Sequence, residues 1–176
     1  MRALGPGSVS SLLKIALDVA YVLLWAIACA VALLLIAAIF GALDDFSVTV
    51  DDAGGVRELP LNRSLLLFGL AAASAYFGGF VIILHRLRRI FRTLTMGDPF
   101  EPDNVRRLRE IGLVLAVVTG GSFLAQLTMS RIAPGVVTPQ GLSDLLTPIF
   151  SILVVFVLAE VFREGARLRR ESELTI

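Results

Sequence analysis

Glu160 is the ionisable residue placed most suggestively for chemistry. It closes the last apolar run of the chain, within helical reach of Arg163, and Glu164 stands in the same relation to Arg167. A carboxylate inside a membrane span can carry a proton, hold an ion or anchor a ligand. The same carboxylate three residues before an arginine can also form an ordinary helix ion pair. Structural pairing is the expectation for Glu160 and Arg163, with the ligand role as the alternative. Asp18 lies one turn beyond Lys14 and is expected to pair with it at the membrane edge.

Other reactive residue types are scarce. His85 is the single histidine and Cys29 the single cysteine. An intramolecular disulfide, a multi-histidine zinc site and a bis-histidine haem are therefore excluded within one chain. Cys29 follows Ile27-Ala28 inside a long apolar run and reads as a buried, inert thiol. Asp44, Asp45, Asp51 and Asp52 invite a calcium hypothesis. Their spacing does not match a calcium loop, so they read as a solvated acidic turn. No nucleophile elbow, phosphate loop, zinc-protease motif or dinucleotide fingerprint occurs. No catalytic residue, cofactor site or metal site is expected.

These residues hang on a strongly apolar chain. Of 176 residues, 56% are hydrophobic and 18% charged, against about 45–50% and 25% in a soluble domain. Residues 19–43, 64–84, 111–130 and 145–159 carry no charge. A helix needs roughly 20 apolar residues to cross a bilayer core. The pattern predicts an all-α membrane protein, an antiparallel bundle of four transmembrane helices forming one domain. The expected spans are 15–43, 64–85, 110–130 and 145–163. The last uncharged run is only 15 residues, so its span must take in Glu160. The first run is too long for the core of a cleaved signal peptide and is expected to stay as a helix.

The charges predict an orientation. Residues 1–18, the connection 86–109 and the tail after Glu160 hold 13 of the 16 basic residues. The connections 44–63 and 131–144 hold Arg57, Arg63 and Arg131. Basic residues near span ends resist translocation, so both termini and the central connection are expected in the cytoplasm.

Local patterns add detail. Ser10 or Ser11 can cap the first helix, which should run to about Leu43. Val48 and Val50 alternate with polar residues before Gly54-Gly55, which suggests a small outer hairpin. Helix two should begin near Asn62 or Arg63 and run past the membrane to about Thr95. Met96-Gly97-Asp98-Pro99-Phe100-Glu101-Pro102 then breaks it. Helix three should restart at Pro102 or Asp103, and helix four near Ser143-Asp144. Ala71, Ala75 and Gly79, and then Gly112, Ala116 and Gly120, recur at steps of four and are expected to line close helix contacts.

Apolar stripes continue into the basic regions. Leu84, Leu87, Phe91 and Leu94 are at helical spacing, as are Val105, Leu108 and Gly112, and Val161, Gly165 and Leu168. They should form either a self-contained cap or a docking surface. The docking candidates are Phe91, Leu94, Phe100, Arg106, Leu108 and Leu168. The arginines between them set topology and meet anionic headgroups. Direct nucleic-acid binding is not expected, and a homo-oligomer is compatible with the pattern.

Two stretches carry a resemblance. They are Gly97-Asp98-Pro99-Phe100-Glu101-Pro102-Asp103-Asn104-Val105-Arg106-Arg107-Leu108-Arg109-Glu110-Ile111-Gly112 and Leu158-Ala159-Glu160-Val161-Phe162-Arg163-Glu164-Gly165-Ala166-Arg167-Leu168, followed by Glu173-Leu174-Thr175-Ile176 at the end. Together with the four-span layout they resemble the bacterial membrane family called domain of unknown function 2975, over nearly the whole chain. The resemblance implies a four-helix protein of the bacterial cytoplasmic (inner) membrane with no established activity. It also implies, from the neighbours of such proteins, a role beside a small helix-turn-helix regulator. A regulatory or scaffolding protein is the first expectation. A module binding a lipid, a quinone-like molecule or an ion beside Glu160, or a small transporter subunit, is the second. A transporter usually shows repeats, and none is evident.

Overall fold

The computed structural model describes residues 9–42, 47–52, 55–60, 63–96, 100–132 and 141–173. Four long helices dominate: α1 (Val9–Ile39), α2 (Arg63–Thr95), α3 (Pro102–Ile132) and α4 (Leu146–Glu173). All four are long and apolar enough to cross a membrane. The chain is a multi-pass membrane protein. Strands β1 (Ser47–Asp52) and β2 (Gly55–Pro60) pair antiparallel between α1 and α2, with Val48 opposite Leu59 and Val50 opposite Arg57.

The helix ends follow from local chemistry. α1 begins at Val9, so Ser10 and Ser11 lie in its first turn and not before it. It stops at Ile39, short of the expected Leu43, because Gly41 takes φ 80°. The Gly41 N–H donates to Ala38 O and the Ala42 N–H to Ala37 O. This pair of bonds closes a helix through a left-handed glycine. α2 ends at Thr95 as expected, where the Met96 N–H is shared between Arg92 O and Thr93 O. α3 opens on Pro102, whose missing N–H costs nothing in a first turn. A 3₁₀ turn over Leu142–Leu145 leads into α4, and the Asp144 carboxylate accepts from the Gly141 N–H at 3.0 Å.

The helices run antiparallel in sequence order, each packed on the next. Among the described residues no other pair of helix backbones comes into packing distance, so α4 does not return to α1. The helices form an open row. One end carries the α2–α3 turn and most of the arginines and is called here the basic end; the other carries the hairpin. Arg63 at the hairpin end donates to Ile39 O at 2.7 Å and ties α2 to the end of α1.

The best-buried apolar cluster lies toward the basic end. Ile90, Leu108, Ile111 and Ala159 form it, flanked by Ile83, Val155 and Phe162. On α2 the inward positions are Gly79, Ile83, Arg86, Ile90 and Thr93, and on α3 they are Asn104, Leu108, Ile111 and Val118. Spacings that alternate three and four are the signature of helices packed at a shallow angle. The inward stripe of α2 is thus one residue away from the expected Leu84–Leu87–Phe91–Leu94 line.

Candidate functional site at the basic end

Glu160 is 54% exposed in its side chain. It pairs with Arg163 on its own helix, and Arg109 of α3 approaches its other oxygen at 3.8 Å. Its carboxylate is therefore shared by two guanidiniums at the surface of the α3–α4 seam.

Asp18 does not pair with Lys14. It reaches across to Arg88 of α2 at 2.6 Å. Arg88 also lies over the Tyr21 ring, 4.4 Å from its centroid. The Tyr21 hydroxyl accepts from Trp25 Nε1 at 2.9 Å, and the His85 ring stands 6.1 Å from that of Tyr21. Asp18, Tyr21 and Trp25 recur at steps of three and four, so one face of α1 meets Arg88 and His85. Cys29, expected to be buried, is exposed on α1.

Sequence reasoning missed the centre of the α2–α3 turn. Asn104 enters the sequence reading only within the stretch that carries the resemblance. It is the one fully buried polar side chain among the described residues. Its Nδ2 donates to Thr93 Oγ1 at 2.6 Å, and Thr93 Oγ1 donates to Ile90 O at 2.7 Å. Its Oδ1 accepts from Arg107 at 2.8 Å. Arg107, only 16% exposed, also faces Glu101 at 3.7 Å and Asp103 at 3.4 Å. Next to it, Glu110 stands between Arg86 at 2.9 Å and Arg106 at 3.1 Å. The Arg86 approach is off-line for a hydrogen bond and acts through charge alone. The only signal for this network was one amide residue among charged ones, just after a turn.

The docking candidates separate into two groups. Leu108 is buried in the α2–α3–α4 cluster and is closed to a partner. Phe91 is half-buried in a cleft between α1 and α2, away from that cluster. Phe100 lies against α4, its ring 5.7 Å from that of Phe162, and a Cβ on Gly165 would come within 2.5 Å of it. Arg106 is exposed and held by Glu110. Leu94 and Leu168 are exposed, as is Met96 beside the α2–α3 turn. The stripes thus contribute both to a cap and to a residual apolar surface.

The small residues also separate. A Cβ on Gly79 would collide with Val118 of α3. A Cβ on Gly112 would lie 3.0 Å from the Phe156 ring of α4, not against α2. Ala71, Ala75, Ala116 and Gly120 are exposed, and Gly120 has open space around it.

Toward the hairpin end, α2, α3 and α4 leave an open cleft of about 510 Å³. Tyr76, Gln126, Thr147 and Ser151 bring polar atoms to it, and Glu160 does not line it. The aspartates proposed for calcium fall outside the residues whose side chains are described.

A family model described as "Protein of unknown function (DUF2975)" matches residues 53–176. The chain belongs to the DUF2975 family. The match begins inside the hairpin, so α1 and β1 precede it, and the resemblance expected over nearly the whole chain is narrower by that much. No curated protein and no solved structure matches the chain. Both stretches that carried the resemblance lie within the DUF2975 match. They hold Asn104, Arg107, Glu110, Glu160 and the Phe100–Gly165 contact. Asp18, Tyr21 and Trp25 lie outside it.

Proposed function

We propose that this DUF2975 protein is a non-enzymatic regulatory or scaffolding protein of the bacterial inner membrane that acts through its basic end, facing the cytoplasm. The observation that carries the reading is the pairing of a fastened end with an unfilled apolar surface. Asn104, Arg107 and Phe100 lock α2, α3 and α4 together, while Leu94, Met96 and Leu168 stay exposed beside them. A rigid end with exposed leucines and many arginines suits a soluble partner with an apolar, acidic face. The partner suggested by the family resemblance is a small helix-turn-helix transcription regulator.

Affinity purification in mild detergent tests this. The wild-type chain should bring down such a regulator. Leu94→Asp with Leu168→Asp should abolish its recovery and leave the thermal midpoint within a degree or two, because both side chains are already exposed. Equal recovery with both variants, or loss of stability in place of binding, defeats the reading.

The orientation has its own expected result. In a Cys29→Ala background, a cysteine at Gly55 should react with a membrane-impermeant thiol reagent on intact cells, and one at Gly97 should not. The reverse pattern would put the basic end outside. The second reading is a lipid- or quinone-binding module, and what supports it is the polar-edged cleft between α2, α3 and α4. That cleft would replace Glu160 as the binding locus, since Glu160 is occupied by Arg163 and Arg109.

A further inference from the structure

We propose that the cleft between the basic ends of α1 and α2 is a binding site for the phosphate of an anionic glycerophospholipid. The cleft holds about 410 Å³. Lys14 and Asp18 line it from α1, and His85, Arg88, Arg89 and Arg92 line it from α2. Four permanent cations therefore face one acid, and Arg88 already takes that acid.

Elsewhere at this end most of the described arginines are matched, Arg170 near the end of α4 being an exception. Arg86, Arg106, Arg107, Arg109, Arg163 and Arg167 each face at least one carboxylate. Among the described residues no carboxylate pairs with Lys14, Arg89 or Arg92. Three cations without a carboxylate partner, Lys14, Arg89 and Arg92, are thus gathered in one concave place. Clustered cations that are not neutralised from within attract an anion from outside.

The depth of the cleft selects a lipid over a soluble anion. It sits where the uncharged run of α2 gives way to its arginines, and where Lys14 and Asp18 precede the uncharged run of α1. Phospholipid headgroups lie at that boundary, and basic pockets between spans on the cytoplasmic side hold them. Leu17 and Phe91 give the cleft an apolar wall. Above it, Val22, Leu23 and Trp25 of α1 are exposed and offer a surface for acyl chains. The proposal is independent of the protein-docking reading, which rests on other residues.

Trp25 is the single tryptophan and a built-in reporter. It lies seven residues beyond Asp18, roughly 10 Å deeper in the apolar layer. The full-length protein is reconstituted in phosphatidylcholine vesicles containing a minor fraction of phosphatidylglycerol, with brominated acyl chains on one lipid or the other. At equal mole fraction the brominated phosphatidylglycerol should quench Trp25 as though enriched on the order of tenfold beside it. Arg89→Gln with Arg92→Gln should bring the two lipids to near equality. Arg163→Gln with Arg170→Gln removes the same charge from α4 and should leave the preference intact. Inorganic phosphate added to vesicles of phosphatidylcholine alone should not change Trp25 emission. Equal quenching by both lipids in the wild type overturns the proposal, as does equal loss in the α4 control. A response to phosphate without lipid preference reassigns the cleft to a soluble anion.

Discussion

Replacing Asn104 by alanine should lower the unfolding free energy by about 2–3 kcal/mol, among the largest effects of any single polar substitution in this protein. The amide is fully buried and joins Thr93 of α2 to Arg107 of α3. Its loss removes the donor to Thr93 Oγ1 and the acceptor for Arg107, and leaves a small void between α2 and α3. A buried polar group stripped of its partner costs about 1–3 kcal/mol, and more when charged. Arg107 keeps Glu101 and Asp103, which limits the loss. Asp103→Ala, by contrast, removes an exposed contact at 3.4 Å and should cost under about 0.5 kcal/mol. Thermal unfolding in detergent measures both. Equal effects would mean that the buried amide contributes no more than a surface ion pair.

The second large effect is expected at Gly79. A leucine there must displace Val118 and should cost about 1–3 kcal/mol through overpacking, lowering the thermal midpoint by several degrees. Gly120→Leu should be tolerated within about 0.5 kcal/mol, since nothing lies near its would-be Cβ. If Gly120→Leu instead abolished an oligomer seen for the wild type, that face of α3 would be an interface between copies. Equal tolerance at both glycines would remove Gly79 from the α2–α3 contact.

The two glycines also show what a sequence can and cannot say about such a chain. Residues at steps of four looked like continuous small faces. Four residues advance about 40° beyond a full turn, so such a row winds off the contact line within two steps. The seam alternates three and four and keeps to one side, which admits Gly79 and leaves Ala71 and Ala75 exposed. Helix existence and most helix ends were legible, because Pro102, Pro99 and Gly97 interrupt an apolar pattern that needs no tertiary partner to be recognised. The inward stripe of α2 was not. A span is apolar on every side, so polarity does not mark the packed face. Asn104 was missed for a related reason. Its burial depends on Thr93, eleven residues away across a turn, and no local rule joins them. Asp18 has a near cation in Lys14 and a better-placed one in Arg88, and only the helix pairing chooses between them. The end of α1 could have been found, since Gly41 is the residue type that stops a helix.

The open order of the helices bears on how the protein can be made. In a ring of helices, the first must wait for the last before its second flank is covered. In this row, every helix packs on the one that emerged just before it. Insertion can then proceed like a zipper, each new span meeting its partner already in the bilayer, with all tertiary pairing local along the chain. Folding of that kind closes only short loops and is fast. Losing α4 would open the α3–α4 seam and uncover Ile90 of α2 where Ala159 closes over it, yet the strip formed by α1, α2 and α3 would keep its Asp18–Arg88 clasp and its Asn104 lock.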